Sequence, residues 1–425
     1  MDQDISTPSA VRSHNLSLAL NLIRERGSIT RAEMIAITGL SAPTISALVN
    51  VLIDSDFVRE AGIGISSGGR RPILLEFNYN ARYVIGVDLG ATHIITILMN
   101  LEGKILSSQH RRMDVIAQPV EALEAVRSMI FQATRQSNVH EADVLGVGLT
   151  IPAPLNDDAA GTFLTYYMPA WKGIRPAEEI GKSVHLPIYM ENDANAGAIA
   201  EKWWGIGKGY DSLAYIKIGT GVGSGLVINN EIYRGYSGSA GEIGHTTIET
   251  NGRLCRCGNH GCMESYVGLP GILMDAREGL AADPDWKDRL ETLTLEEIIH
   301  AARDGNEVCL HLIHNAGRYL GVGIANMVNL VNPGLIILGG DLTEAGDMLM
   351  DSVFASMRER TIPFESHLEK IIIGELGKDA VAIGVATVVI QKAFSSTKLY
   401  STLRRKDVIY TSKEVMDQPI FKSEI

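Results

Sequence analysis

The residues LAYIKIGTGVGSGLVI, at positions 213–228, decide the fold of the larger part of this 425-residue chain. An apolar strand over 213–218 is followed by a glycine-rich turn over 219–225 and by a short strand over 226–228. Successive backbone amides in such a turn form a concavity that binds anions such as phosphate. The stretch therefore predicts a hairpin that faces a phosphate group.

A weaker copy of this hairpin lies about 130 residues upstream. A β-branched strand over 83–87 ends in the turn DLGAT, residues 88–92, and alternation over 94–99 predicts the returning strand. Two such hairpins indicate a duplicated, actin-like α/β fold of the ribonuclease H-like ATPase type, with a cleft between its lobes. A third glycine element, 336–341, ends a buried strand and is expected to lie against the adenosine of a nucleotide.

The first 80 residues have a different pattern, which is typical of a helix-turn-helix. Apolar residues recur at helical spacing over 16–23, and Thr30 and Glu33 form a capping box that begins a second helix. Gly39 and Ser41 mark the turn into a third helix. The outward face of that helix offers DNA three polar side chains, Thr44, Ser46 and Asn50.

A wing is predicted to follow the third helix, with strands over 57–60 and 72–77 and a flexible tip over 62–69. Arg70 and Arg71 lie in an extended stretch that suits a narrow minor groove. Residues 12–71 hold seven arginines against five acids, in a chain whose net charge is −12. We therefore predict that this head binds DNA; a helical domain that binds protein is the alternative.

Between and after the two hairpins lie residues with the chemistry of a sugar site and a metal site. Asp193, at a strand end, can accept a hydroxyl proton while the amide of Asn192 holds a neighbouring hydroxyl. Three cysteines fall within eight residues, which in a cytosolic protein favours a metal over a disulfide. With His245 they predict a closed, structural zinc site made by Cys255, Cys257 and Cys262. His260 is an alternative fourth ligand, and a redox thiol group is the alternative to a metal.

Length and composition set the remaining limits. At typical domain sizes, 425 residues predict about three domains. No apolar run approaches the roughly 18 residues that a membrane span needs, and the polar N-terminus lacks the order of a secretory signal. We therefore expect a cytoplasmic protein with no membrane contact.

Taken together, these elements resemble the ROK family, which groups bacterial repressors with sugar kinases. The resemblance covers roughly residues 14–392 and rests on six stretches: 88–92, 191–195, 219–225, 241–245, 255–264 and 339–340. It implies that five side chains hydrogen-bond a pyranose: Asn192, Asp193, Glu242, His245 and Glu264. It also implies that zinc is held by His245, Cys255, Cys257 and Cys262. His245 would then give one ring nitrogen to the metal and the other to the sugar.

The first turn departs from the pattern of the family's kinases, which carry Asp-x-Gly-Gly-Thr-Lys. Here Ala91 and His93 replace the second glycine and the lysine. A methyl group at Ala91 intrudes where the backbone approaches phosphate, and alanine tolerates a positive φ poorly. His93 removes a permanent positive charge. The kinases' Ile-Pro-Gly-Pro turn also reads IPAP at 151–154. These changes argue against ATP and Mg²⁺, while the residues of the sugar site are intact.

The sequence therefore predicts a winged helix over 1–80, a first lobe over 81–194 completed by 381–425, and a second lobe over 195–380 with the zinc loop and an oligomer interface. The predicted function is a sugar-responsive repressor of carbohydrate-utilisation genes that binds double-stranded operator DNA as a homodimer or homotetramer. A regulatory partner protein is an open alternative to the sugar trigger. The competing function is an ATP-dependent sugar kinase with Asp193 as general base.

Overall fold

The computed structural model describes residues 8–63, 71–153, 168–362 and 370–395. The chain divides into two compact units, one of Met1–Arg82 with Gln391–Ile425 and one of Tyr83–Ile390. The boundary between the two units after Arg82 lies two residues beyond the boundary predicted at residue 80. Residues 391–395 group with the first unit, whereas the sequence predicts that 381–425 complete the first lobe. The reason is Phe394, whose ring lies 6.3 Å from the ring of Phe57 and 6.1 Å from that of Phe77 in the core of the first unit.

Within its described residues before Tyr83, the first unit has three helices and a small antiparallel sheet whose strand order is β1-β3-β2. The helices are α1 (Pro8–Arg26), α2 (Arg31–Thr38) and α3 (Ala42–Asp54), and the strands are β1 (Ser28–Thr30), β2 (Val58–Ile63) and β3 (Ile73–Phe77).

The local signals that predicted α2 and α3 are present as contacts. The Thr30 amide donates to Glu33 Oε2 at 2.8 Å, and the Glu33 amide donates to Thr30 Oγ1 at 3.2 Å. Gly39 ends α2 with a φ of 69°, and the Ser41 hydroxyl accepts from the Thr44 amide at 3.3 Å. β2 runs three residues beyond its predicted end at Glu60. Most of the predicted tip falls at 64–70, outside the described residues.

The second unit contains two five-stranded sheets with helices packed on them. Its strands are β4 (Tyr83–Leu89), β5 (His93–Asn100), β6 (Ile105–Arg112), β7 (Val144–Ile151), β8 (Ile188–Asn192), β9 (Leu213–Ile218), β10 (Val222–Ile228), β11 (Glu231–Ile232), β12 (Ile336–Gly339) and β13 (Ile371–Ile373). Its helices are α4 (Pro119–Gln136), α5 (Pro176–Gly181), α6 (Asp193–Trp203), α7 (Glu264–Val267), α8 (Leu269–Gly279), α9 (Leu295–Arg303), α10 (Glu307–Val331), α11 (Asp347–Arg358) and α12 (Ala380–Ser395), the last of which ends in the first unit.

The two sheets repeat one topology. Their strand orders are β6-β5-β4-β7-β8 and β11-β10-β9-β12-β13, so each has three antiparallel strands followed by two parallel ones. The predicted duplication of a two-lobed α/β body is therefore confirmed. Each lobe has its own apolar core, in which the β4 and β7 side chains pack with α4, and the β9 and β12 side chains pack with α10.

The glycine-rich segment 219–225 is only partly a turn, which corrects the prediction. β10 begins at Val222 and pairs with β9 from Val222 to Val227, so the turn is 219–221. Gly225 lies inside the strand, where a methyl group would be 2.4 Å from the Ala194 carbonyl oxygen of α6. This glycine is therefore required by close packing of strand against helix and not by a bend.

Helix α12 packs on the sheet of the first lobe, as predicted for the segment after residue 380. A methyl group on Gly148 of β7 would lie 2.1 Å from the Val385 carbonyl oxygen. The backbones of strand and helix are thus in direct contact. None of the helices in the described ranges combines the length and apolar character needed to cross a membrane.

Candidate functional site

A cleft of about 870 Å³ lies between the two lobes of the second unit. Its walls come from both glycine hairpins, from the ends of β6 and β12, and from the loop before α7. All five residues that the family resemblance assigned to sugar contacts line this cleft: Asn192, Asp193, Glu242, His245 and Glu264. The structure therefore brings together residues that are up to 72 positions apart in the sequence.

Asn192 and Asp193 stand where β8 ends and α6 begins. Asn192 caps the helix, since its Oδ1 accepts from the amides of Ala194 and Asn195 at 3.0 and 3.1 Å. Its Nδ2 donates to the Ala153 carbonyl at 3.3 Å. The side-chain amide thus has a structural role besides any contact with a ligand.

Asp193 makes the closest ion pair in the cleft. Its Oδ1 accepts from the Ala194 amide at 2.8 Å, and its Oδ2 lies 2.7 Å from Lys217 Nζ. Lys217 was not recognised in the sequence, although a charged residue inside the apolar strand β9 was a signal for it. Burial favours the neutral form of Lys217, but Asp193 and Asp88 outweigh this effect and hold its pKa above the ordinary value.

Glu264 begins α7 directly after the cysteine loop. It is almost buried, and its two carboxylate oxygens accept from Arg256 Nε at 2.8 Å and from Arg256 Nη2 at 3.2 Å. The Val222 amide, at the end of the second glycine turn, also donates to its Oε2 at 3.0 Å. Arg256 was a second residue that the sequence did not reveal, because a single arginine between two cysteines is an unremarkable surface residue in sequence.

Glu242 and His245 face each other from one short turn, with Oε2 and Nε2 3.9 Å apart. Burial raises the pKa of Glu242 to about 7, and the charges of Asp193 and Glu264 add to this effect while Arg256 opposes it. Burial also lowers the pKa of His245. The neutral imidazole is the form that binds a metal or accepts a hydrogen bond.

The predicted cysteine cluster is assembled on one side of His245. Donor atoms of His245, Cys255, Cys257 and Cys262 all lie within 4.8 Å of one another. His245 Nδ1 is 3.7 Å from Cys255 Sγ, so the ring turns Nδ1 to the sulfur atoms and Nε2 to Glu242. His260 is exposed and contacts the Gly252 carbonyl at 3.1 Å, which leaves His245 as the histidine of the cluster.

The donor set fits a cation. Burial, with the hydrogen bond to Cys257 adding to it, raises the pKa of Cys262 to about 12. Three sulfur atoms this close together are therefore not all ionised unless a positive charge lies among them. Three thiolates and one imidazole are the donors that Zn²⁺ prefers in closed tetrahedral sites.

The first glycine turn is covered by a side chain of the chain itself. Asp88 is buried and accepts from the Thr150 hydroxyl at 2.8 Å, while His93 Nε2 lies 3.2 Å from its Oδ2. Burial alone would raise the pKa of Asp88, but Lys217, His93 and Thr150 together lower it. A methyl group on Gly90 would be 2.5 Å from the His93 ring. The imidazole therefore lies against the turn.

Ala91 does not have the positive φ that an alanine tolerates poorly. Within the described ranges, positive φ at residues other than glycine is confined to Asp56, Asn138, Asn229, Asn230 and Asn332. Ala91 therefore has ordinary backbone geometry. The departure of this turn from the kinase pattern rests instead on the Ala91 methyl group and the His93 ring.

The residues predicted to contact DNA lie in the first unit. Ser46 and Asn50 are exposed on α3, and Thr44 is half-buried with its hydroxyl 2.8 Å from that of Ser41. Arg71 is exposed at the start of the segment that leads into β3, and Arg70 lies outside the described residues. The opposite face of α3 is buried, as its apolar stripe predicted.

Comparison with known proteins gives the same division of the chain. Residues 84–392 match the model of the ROK family. The xylose repressor of Bacillus subtilis is 34% identical over 387 residues, which are 91% of this chain and 97% of the repressor. Among solved structures, a ROK family transcriptional regulator described as a homologue of the Escherichia coli MLC protein superposes with a TM-score of 0.75 at 27% identity, covering 93% of this chain and 100% of that one.

A kinase matches a smaller share of the chain. A ROK family glucokinase from Streptomyces griseus, solved with glucose and AMPPNP, superposes with a TM-score of 0.64 at 29% identity. The match covers 99% of the glucokinase but only 73% of this chain. About a fifth of the chain therefore has a counterpart in the two regulators and none in this kinase.

Proposed function

The chain belongs to the ROK family, and from that premise we propose that it is a sugar-responsive transcriptional repressor of carbohydrate-utilisation genes. The observation that carries this function is the extent of the match to the B. subtilis xylose repressor, which spans 91% of this chain and 97% of that protein. The prediction of a repressor made from the sequence is confirmed by this relative and by the regulator of known structure.

The proposed DNA-binding element is a winged helix formed by α1–α3 and the sheet β1-β3-β2. The order of helices and strands supports it, as do the exposed Ser46 and Asn50 on α3. In this proposal α3 enters the major groove, and Arg70 and Arg71 reach the minor groove from the wing. Two other arginines of the first unit add little positive charge for DNA, because each is paired with an acid. Arg31 pairs with Glu60 at 3.2 Å, and Arg59 pairs with Glu76 at 3.3 Å.

The proposed effector is a monosaccharide bound in the cleft, and the name of the B. subtilis relative makes D-xylose the first sugar to test. Asp193, Glu242 and Glu264 supply acceptors for sugar hydroxyls, and His245 Nε2 faces the same space. Apolar residues such as Pro152 and Leu269 also line the cleft and can cover the sugar ring.

We further propose that His245, Cys255, Cys257 and Cys262 hold a structural zinc ion. When bound, the ion would neutralise the thiolates and fix the loop that precedes α7. Arg256 lies in that loop and contacts Glu264, so an ordered loop also orients one of the proposed sugar contacts. His245 belongs to both sites through its two ring nitrogens.

Sugar binding would regulate the repressor by favouring one degree of lobe closure. The free energy available for this shift equals the difference in sugar affinity between the DNA-competent and DNA-incompetent states. We propose a homodimer or homotetramer, in which lobe closure changes the spacing of the heads on a pseudo-palindromic operator. Such a repressor acts in the cytoplasm, where its operator is found.

A footprint on the DNA upstream of the protein's own gene tests the proposed function directly. The full-length chain is expected to protect a two-fold related site, and 10 mM D-xylose is expected to change the protection. The double variant Ser46→Ala with Asn50→Ala should lose the footprint while its unfolding curve stays that of the wild type, because both side chains are exposed. Absence of protection by the folded wild-type protein would refute the DNA-binding function.

Arg70→Ala with Arg71→Ala tests the proposed wing. Two lost phosphate or minor-groove contacts should weaken operator binding and reduce the slope of log K against log salt by about 2. Arg111→Ala, an exposed arginine in the second unit, is the matched control. An unchanged salt slope would remove the arginine pair from the interface.

The kinase alternative is tested by a coupled phosphorylation assay over hexoses and pentoses. A repressor without kinase activity should give no turnover with ATP and Mg²⁺ at any sugar. Turnover that Asp193→Asn abolishes would establish the chain as a kinase instead.

A further inference from the structure

Three basic side chains of the chain itself line the cleft, beside the two glycine turns and Asp193. They are Lys217 at Asp193, His93 at Asp88, and Arg256 at Glu264. Each is paired with an acid at 3.2 Å or less.

Lys217 occupies the central position. It extends from β9 of the second lobe, its side chain is 17% exposed, and its Nζ lies 2.7 Å from Asp193 Oδ2. Asp88 ends β4 of the first lobe, and its charge also stabilises the ammonium of Lys217. One ammonium group of the second lobe therefore serves two carboxylates of the first lobe, Asp88 in β4 and Asp193 directly after β8.

Phosphoryl transfer makes two demands that this arrangement opposes. The reaction needs Mg²⁺ to bridge the phosphates, and it needs a carboxylate free to accept the hydroxyl proton. A divalent cation near Asp88 and Asp193 would be repelled by Lys217, since two charges of the same sign a few ångströms apart interact unfavourably in a partly buried site. Lys217 also donates to Oδ2 of Asp193, one of the two oxygens that could accept the proton.

A basic side chain also lies against each of the two glycine turns. The His93 ring lies against Gly90, and Arg256 Nη2 is 2.8 Å from the place of a methyl group on Gly221. Because both basic side chains are paired with acids, neither offers an uncompensated positive charge to a phosphate. The residues that line this part of the cleft therefore do not fit Mg²⁺ and a nucleoside triphosphate.

We infer that Lys217 is a built-in counter-ion, which holds Asp88 and Asp193 together in place of a divalent metal and keeps Mg²⁺-nucleotide out of the cleft. Lys217 is thus a positioning residue for Asp193 and lets the cleft bind a sugar without a metal. The inference concerns the second unit alone and is independent of whether the first unit binds an operator.

The test is the Mg²⁺ dependence of thermal unfolding, measured on the full-length chain in buffer freed of divalent cations. Lys217→Met keeps the length of the side chain and removes its charge, which leaves the two carboxylates without their counter-ion. We expect this variant to unfold at a lower temperature than the wild type and to recover by about 2–4 °C in 10 mM Mg²⁺. The wild type should show no Mg²⁺-dependent shift.

Two further variants separate a counter-ion from a packing role. Lys217→Arg retains the charge and should be insensitive to Mg²⁺, as the wild type is. Lys217→Met with Asp193→Asn should lose the Mg²⁺ response because it lacks one of the two carboxylates. A folded Lys217→Met protein that does not respond to Mg²⁺, or a wild-type protein whose Mg²⁺ response depends on Asp193, would overturn the inference. Neither result depends on the sugar or on DNA.

Discussion

The two lobes of the second unit have the same strand order but different chemistry. In the first lobe, the hairpin β4-β5 ends in a turn where Asp88 and His93 bind each other. In the second, the turn 219–221 lies beside Glu264 and Arg256, and the loop that follows provides Glu242, His245 and the three clustered cysteines. Strand order depends on backbone pairing and apolar packing, which tolerate many side chains. The turns carry the ligand chemistry and have diverged.

This contrast indicates how a kinase fold can serve a repressor. The second lobe provides three of the five proposed sugar contacts and all the proposed metal ligands, while the His93 ring lies against the glycine turn of the first lobe. The first lobe contributes Asp88, the other two proposed sugar contacts, Asn192 and Asp193, and one wall of the cleft. Four variants test this division, from the largest expected effect to the smallest.

Cys257→Ser should have the largest effect and should act through the second lobe. We expect loss of bound zinc, and we expect the free energy of unfolding to fall by about 4 kcal/mol or more, since loss of a structural metal is among the most destabilising changes. Metal analysis and urea unfolding measure the two quantities. Cys309→Ala, a buried cysteine outside the cluster, is the control and should retain the metal. A metal-replete, fully stable Cys257→Ser protein would contradict the proposed ligands.

Glu242→Ala should abolish the sugar response and leave operator binding intact. Loss of a hydrogen-bonded carboxylate is expected to weaken D-xylose binding about 10- to 100-fold. Calorimetry measures the affinity, and Glu296→Ala, at another place on the cleft wall, is the matched control. Retained induction in the Glu242→Ala protein would remove this residue from the sugar site.

Thr150→Val tests the first lobe, where the Thr150 hydroxyl donates to the buried Asp88. Losing this donor leaves a buried carboxylate less satisfied and should cost about 1–3 kcal/mol of unfolding free energy. Thr96→Val is the control, because the Thr96 hydroxyl is buried in the same sheet and has no hydrogen-bond partner among the described residues. That change should be neutral or stabilising. If the two substitutions changed the free energy of unfolding equally, the hydrogen bond from Thr150 to Asp88 would contribute nothing to stability.

Glu201→Gln tests α6, which follows the last strand of the first lobe and packs on the second. Burial raises the pKa of Glu201 above its ordinary value of 4.5, and the amides of Ile206 and Leu376 only partly oppose this. The folded state therefore holds a proton that the unfolded state has released, and stability decreases as the pH rises from 4.5 through the raised pKa. Urea unfolding at pH 5–8 should show that the free energy of unfolding decreases less with rising pH in Glu201→Gln than in the wild type. A parallel decrease in both proteins would assign the pH dependence to other groups.

Much of the fold was predictable because its signals are local. Thr30 and Glu33 are three residues apart, and their reciprocal hydrogen bonds formed as the spacing predicted. The length of the glycine-rich segment was misjudged because a glycine needed for close packing, such as Gly225, looks the same in sequence as a glycine needed for a turn. The grouping of residues 391–395 with the first unit was not predicted for a related reason, since the partners of Phe394 are more than 300 positions away.

The sequence by itself determined the duplicated body and the helix-rich head, because apolar periodicity, capping residues and motif spacing are local properties of a chain. Its resemblance to a family also identified five of the residues that line the cleft. Only the tertiary structure decided which charges face one another. It placed Lys217 on Asp193, Arg256 on Glu264 and the His93 ring on the first glycine turn. Electrostatic energy depends on distance and burial, and both are set when separate strands are packed together. The ion pair between Lys217 and Asp193 is therefore a property of the folded chain that the sequence alone did not reveal.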